Sequence, residues 1–207
     1  MATASPPESI PARAERQEHP LPSARSRRAA TLAATITAAA AVPLLAAAGM
    51  DPARAHALAA LLVLIPLGVY LARVDLAVHR LPNWAVAAVA AGNLGALIGL
   101  GMTGPAAAAG GMILGALLTA ALAAVIFLVM HLIGGTGMGD VKLVAACALA
   151  IGAHGMGAWL LAVLASYVLA ALIVAVPALL SGRRGRVALG PYLVAGHALA
   201  LIWCTAS

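Results

Sequence analysis

Seven stretches of this chain are apolar and nearly free of charge, and no soluble fold of this size has an interior large enough to hide them. They cover 29–50, 57–73, 84–102, 110–133, 142–154, 156–180 and 190–206. A bilayer core accepts about 20 apolar residues per helix, and most of these runs come close to that length. Across all 207 residues, 64% are hydrophobic and only 9% are charged, against about 25% charged in a typical soluble domain. The expected fold is all-α, a polytopic transmembrane helix bundle. Pro43, Pro66 and Pro177 lie inside the runs, a position membrane helices tolerate because neighbouring groups re-satisfy the freed backbone.

Positive charge orients the bundle. Residues 1–28 are polar, rich in Pro, Ser, Arg and Glu, and read as a disordered cytoplasmic tail. With that tail inside, eleven of the twelve basic residues fall on the cytoplasmic side: Arg13, Arg16, Arg25, Arg27, Arg28, Arg73, Arg80, Lys142, Arg183, Arg184 and Arg186. Only Arg54 falls outside, as the positive-inside rule requires. The net charge of +6 therefore meets anionic lipid headgroups, and no nucleic acid partner is needed to explain it. The segment "SRRAATLAA" is similar to a twin-arginine export signal, but the run at 29–50 is long enough to stay in the membrane. Cys147 and Cys204 sit in apolar runs outside any CxxC pair, so neither a metal site nor a redox motif is expected.

Chemistry has few places to reside. Of the six acidic residues, Glu8, Glu15 and Glu18 belong to the tail and Asp51 to an outer loop. Asp75 and Asp140 remain, both at the cytoplasmic edge by the topology above. An ionisable group at membrane depth is costly and marks function. Asp75 opens "DLAVHRLPN", where Pro82 is expected to break the helix and Asn83 to cap the next one. Asp140 follows the glycines of "GGTGMGDVK" and is expected at a helix N-cap. Gly137 and Gly139 are expected to shape that turn, and Lys142 either tunes the Asp140 charge or snorkels. A phosphate loop would place Lys and Ser or Thr after the last glycine; an aspartate there repels phosphate. The dipoles differ, with Asp75 at a helix C-terminus and Asp140 at an N-terminus, which predicts that Asp75 holds a shared proton. Two readings of the glycine loop stand at this point, a plain helix-capping turn and one half of an aspartyl pair. In such a pair one carboxylate activates water and the other donates a proton.

"VDLAVHRLPN", "GTGMGDVKLVAA" and "VALGPYLVAGHAL" together resemble the motifs of the prepilin peptidases, or type IV leader peptidases, a family of GxGD-type intramembrane aspartyl proteases. The resemblance implies that Asp75 and Asp140 are catalytic, with no cofactor. It implies a prepilin-like substrate cut at the cytoplasmic face, a place in the cell inner (cytoplasmic) membrane, and pilus or secretion assembly machinery as partners. Relatives that also N-methylate their product carry paired CxxC motifs; this chain has none, so peptidase activity without methylation is expected. The expected layout is a tail at 1–28, an extra span at 29–50 and a six-span peptidase core at 57–206. Two alternatives use the same residues: a small proton-coupled transporter or channel with paired acids, and an inactive scaffold of a pilus assembly system.

Other polar residues have quieter readings. His79 and Arg80 serve loop solubility or orient substrate, and His131 packs or braces the loop. Asn93 and His197 are expected to make helix–helix hydrogen bonds, and "SGRRGR" to anchor the chain at the headgroups.

Overall fold

The computed structural model describes residues 23–103, 105–180 and 187–206. The tail at 1–22 and the basic segment at 181–186 lie outside the described residues, and with them the readings of both as tail and anchor. Eight helices account for nearly all of the rest: α1 (Ala24–Ala47), α2 (Pro52–Val78), α3 (Asn83–Gly101), α4 (Ala106–Leu132), α5 (Met138–Ile151), α6 (Met156–Ala170), α7 (Val176–Leu180) and α8 (Gly190–Ala206). No strand occurs among the described residues. The fold is an all-α polytopic bundle. Helices α1, α2, α3, α4 and the run α6–α7 are each long and apolar enough to cross a membrane, while α8 is a shorter apolar helix.

The runs end where capping chemistry ends them. α1 begins at Ala24, earlier than the run at 29–50 suggests, because Ser23 accepts the Ser26 N–H at 3.1 Å as an N-cap. Arg25, Arg27 and Arg28 therefore sit in the first turns of α1. α2 begins at Pro52 behind Asp51, whose carboxylate accepts the Ala53 and Arg54 N–H groups at 2.9 and 3.2 Å. It runs to Val78 and stops because His79 takes a left-handed conformation at φ 53°. The break expected at Pro82 thus comes earlier, and Asp75 lies in the last turn of a helix rather than in a loop. α6 passes into α7 through a π-helical turn, Ala171–Ala175, just ahead of Pro177. A proline cannot donate to the carbonyl one turn back, and a widened turn relieves the clash.

The core is built around α5. Val141, Leu143, Val144, Cys147, Ala148 and Ile151 are all buried, so beyond Lys142 this 14-residue helix is apolar on every side, as a central helix must be. It touches α2, α3, α4, α6 and α8. Asn93 ties α3 to it by donating to the Ala146 carbonyl at 2.8 Å. His197, expected to bond across helices, instead bonds the Leu193 carbonyl of its own helix at 2.8 Å. Helix α1 is closely packed. It packs on α3 and α2, with Gly95 and Gly99 seated directly against the Thr35 and Ala39 carbonyls. Small residues at such crossings let the backbones meet, as is common between membrane helices.

Candidate active site

Up-and-down topology brings the α2–α3 loop, the α4–α5 loop and the start of α8 to one end of the bundle. Both singled-out carboxylates stand there. Asp75 is buried at 6% exposure, an expensive position for an acid unless it is held. Its Oδ2 accepts the Gly190 N–H at 3.0 Å. Gly190 is the first residue of α8, so this N–H is one of the donors a helix N-terminus leaves without an intrahelical partner.

Asp140 is half-buried. The structure puts it at the third helical position of α5, with Gly137 as the N-cap, so it is not the cap itself. Its Oδ2 accepts the Gly137 N–H at 3.1 Å, the reaching-back half of a capping box. Gly134 turns the chain with φ +85°, a conformation other residues adopt at a cost. His131 bonds the Thr136 carbonyl through Nδ1 at 2.8 Å; a carbonyl only accepts, so that nitrogen carries the hydrogen. The loop is thus braced from the last turn of α4.

Close packing joins the two halves. A Cβ on Gly190 would stand 2.7 Å from Asp75 Oδ2, and one on Gly139 would stand 3.1 Å from Leu81 Cβ. Lys142 donates from Nζ to Asn83 Oδ1 at 3.1 Å. Asn83 is therefore not the helix cap expected of it. Pro82 holds the N-cap position of α3 and Asn83 opens the helix, leaving its side chain free to receive Lys142. Of the expected support residues, Gly137 holds Asp140 and Gly139 admits Leu81, while Pro82, Asn83 and Lys142 pin the neighbouring loop. His79 lies close enough for its charge to act on Asp75.

Asp140 also feels the charge of Asp75. Like charges that interact in this way disfavour double ionisation. Among the described residues each carboxylate spends one oxygen on a backbone N–H, leaving the other to exchange protons. The dipole asymmetry read from α2 alone is offset, because the N-terminus of α8 faces Asp75. Gly190 escaped the sequence reading as a site residue, although its segment, "VALGPYLVAGHAL", was part of the family resemblance. No group of three or more His, Cys, Asp or Glu side chains able to hold a metal occurs among the described residues. A cleft of about 730 Å³, lined by His154, Trp203 and Cys204 among others, opens at the far end of the bundle and belongs to neither aspartate.

Residues 62–175 match the type IV leader peptidase family. The match covers more than half of the chain and contains both aspartates, while Gly190 and α8 lie beyond it. Nothing among curated proteins or solved structures matches this chain.

Proposed function

Since the chain belongs to the type IV leader peptidase family, we propose that it removes the leader from prepilin-like proteins by aspartyl catalysis, with Asp75 and Asp140 as the working pair. One observation carries the reading: two carboxylates from opposite halves of the chain stand at one end of the bundle, each accepting a backbone N–H, and the charge of Asp75 acts on Asp140. The ionised member takes a proton from water as its oxygen bonds to the scissile carbonyl carbon. The carbonyl π electrons move to oxygen, which accepts the proton held by the other carboxyl. Collapse of that adduct breaks the C–N bond, and the nitrogen leaves with a proton returned from the pair.

The face is proposed to be cytoplasmic. Arg73, Arg80 and Lys142 lie at the aspartate end of their elements, and Arg54 lies at the other. The proposed layout remains a tail, one added span and a peptidase core, in the cell's cytoplasmic membrane, with pilus or secretion machinery as partners. Cleavage is proposed without N-methylation. A proton-coupled carrier would place its acids near mid-depth, facing a pathway; here both stand at one end.

Asp75→Asn and Asp140→Asn test the reading. Asparagine keeps the size and can still accept the N–H bonds, but it cannot shuttle a proton. Each should abolish conversion of a co-expressed prepilin to its mature form while membrane abundance holds, and the double variant should be no worse than either single one. Normal processing by either single variant, in cells without another such peptidase, would overturn the aspartyl mechanism.

A further inference from the structure

Gly137 and Gly190, the backbone donors that hold the carboxylates, are already spent on them. The reaction gains from a side-chain donor as well, because negative charge develops on the carbonyl oxygen, and a donor aimed there in advance is among the strongest contributions to catalysis.

Tyr167 offers one. Asp140 precedes the end of α5 at Ile151 by as many residues as Tyr167 follows the start of α6 at Met156. The short turn between these helices therefore sets both at a similar level along the bundle. The Tyr167 ring packs against Phe127, centroids 6.5 Å apart, and Phe127 is itself buried. Its hydroxyl is buried with no hydrogen-bond partner among the described residues. The charge of Asp140 reaches that hydroxyl.

A buried hydroxyl without a partner is destabilising, because its lost contact with water is not replaced. A phenylalanine would fill the same site against Phe127 without that cost, so packing does not explain the oxygen. Other buried polar atoms without partners belong to His56, Trp84, Asn93, Trp159 and His197. Of these only Trp84 shares the aspartate end, and its ring lies on Tyr70 at 5.2 Å.

We propose that Tyr167 is a catalytic residue whose phenolic O–H donates a hydrogen bond to the oxygen of the scissile carbonyl as its charge develops. The proposal rests on the aspartyl reading above. Tyr167 stays neutral, and its proton stays on the phenol; Asp75 and Asp140 carry out the proton transfers.

The test uses the full chain reconstituted in liposomes with a prepilin that it cleaves, comparing wild type, Tyr167→Phe and Asp140→Asn. Tyr167→Phe should lower kcat by about 100-fold with KM within twofold, the loss typical of removing one such donor. The limbs of its pH profile should stay where they are, and its thermal midpoint should not fall, because the lost oxygen holds no structural bond. Cleavage by Asp140→Asn would remove the aspartyl reading and this proposal with it. An inactive Asp140→Asn beside a Tyr167→Phe enzyme within threefold of wild-type kcat would overturn the tyrosine proposal alone. So would a loss confined to KM, a displaced pH limb, or a lowered midpoint.

Discussion

Gly190 lacks a side chain where Asp75 has taken the space for one. An added methyl would meet Asp75 Oδ2 at 2.7 Å and Leu81 Cδ2 at 3.2 Å, and the cheaper response is for the carboxylate to move. A displacement of about 1 Å in a reacting group can cost 100-fold. Gly190→Ala is therefore expected to reduce prepilin cleavage at least tenfold with the protein still in the membrane, read as precursor remaining on a gel. Gly139→Val should impair cleavage as well, because its branches would press on Leu81, already 3.1 Å from a single Cβ. Asp51→Asn provides the contrast. It caps α2 at the far end, asparagine caps as well as aspartate, and both cleavage and thermal midpoint should stay unchanged. The lone acids were legible in the sequence because a charge in an apolar run stands out. Gly190 was not, because its bond to Asp75 joins positions 115 residues apart, and no local pattern reports such a pairing. Tyr167 was hidden for a similar reason, as one more large side chain in an uncharged run.

At the scale of elements, the helices were readable because a bilayer leaves the backbone little choice, whereas their ends were not. Ends depend on single residues: the Ser23 and Asp51 caps lengthen α1 and α2 at their starts, and the left-handed His79 stops α2 before Pro82. The same dependence moved Asp140 from cap to third helical position. Two changes test how elements contribute. Asn93→Leu removes the bond from α3 to the Ala146 carbonyl of α5. Such bonds between membrane helices contribute about 0.6 kcal/mol on average, so a small fall in thermal midpoint is expected, with cleavage retained. Gly95→Leu is harsher, because any side chain there strikes the Thr35 carbonyl and must push α1 away from α3. Both aspartates lie outside that contact. If α1 is an addition to a self-sufficient core, the variant should lose stability yet still cleave; loss of cleavage at full abundance would make α1 part of the working enzyme.

For the molecule as a whole, placing both acids at one end yields a topological expectation and a kinetic one. A reporter fused after Gly139 should be active only if the reporter works in the cytoplasm, and activity outside would invert the proposed orientation. Under the proposed mechanism the pair works with one proton between two sites, so cleavage plotted against pH should be bell-shaped. It falls on the acid side when both carboxyls are protonated and on the alkaline side when both are ionised. The two midpoints belong to the pair and not to either residue. The bond from Gly190 to Asp75 also carries a consequence in time. A ribosome delivers Asp75 and Asp140 to the membrane well before it makes α8, the last helix among the described residues. Until that helix arrives, the nascent chain holds two acids of which one lacks its anchor. A chain stopped after Leu180 should insert and leave prepilin uncut, and supplying the last helix as a separate polypeptide should restore part of the cleavage. Synthesis order would then act as a safety catch, keeping a half-made protease from cutting its neighbours in the bilayer.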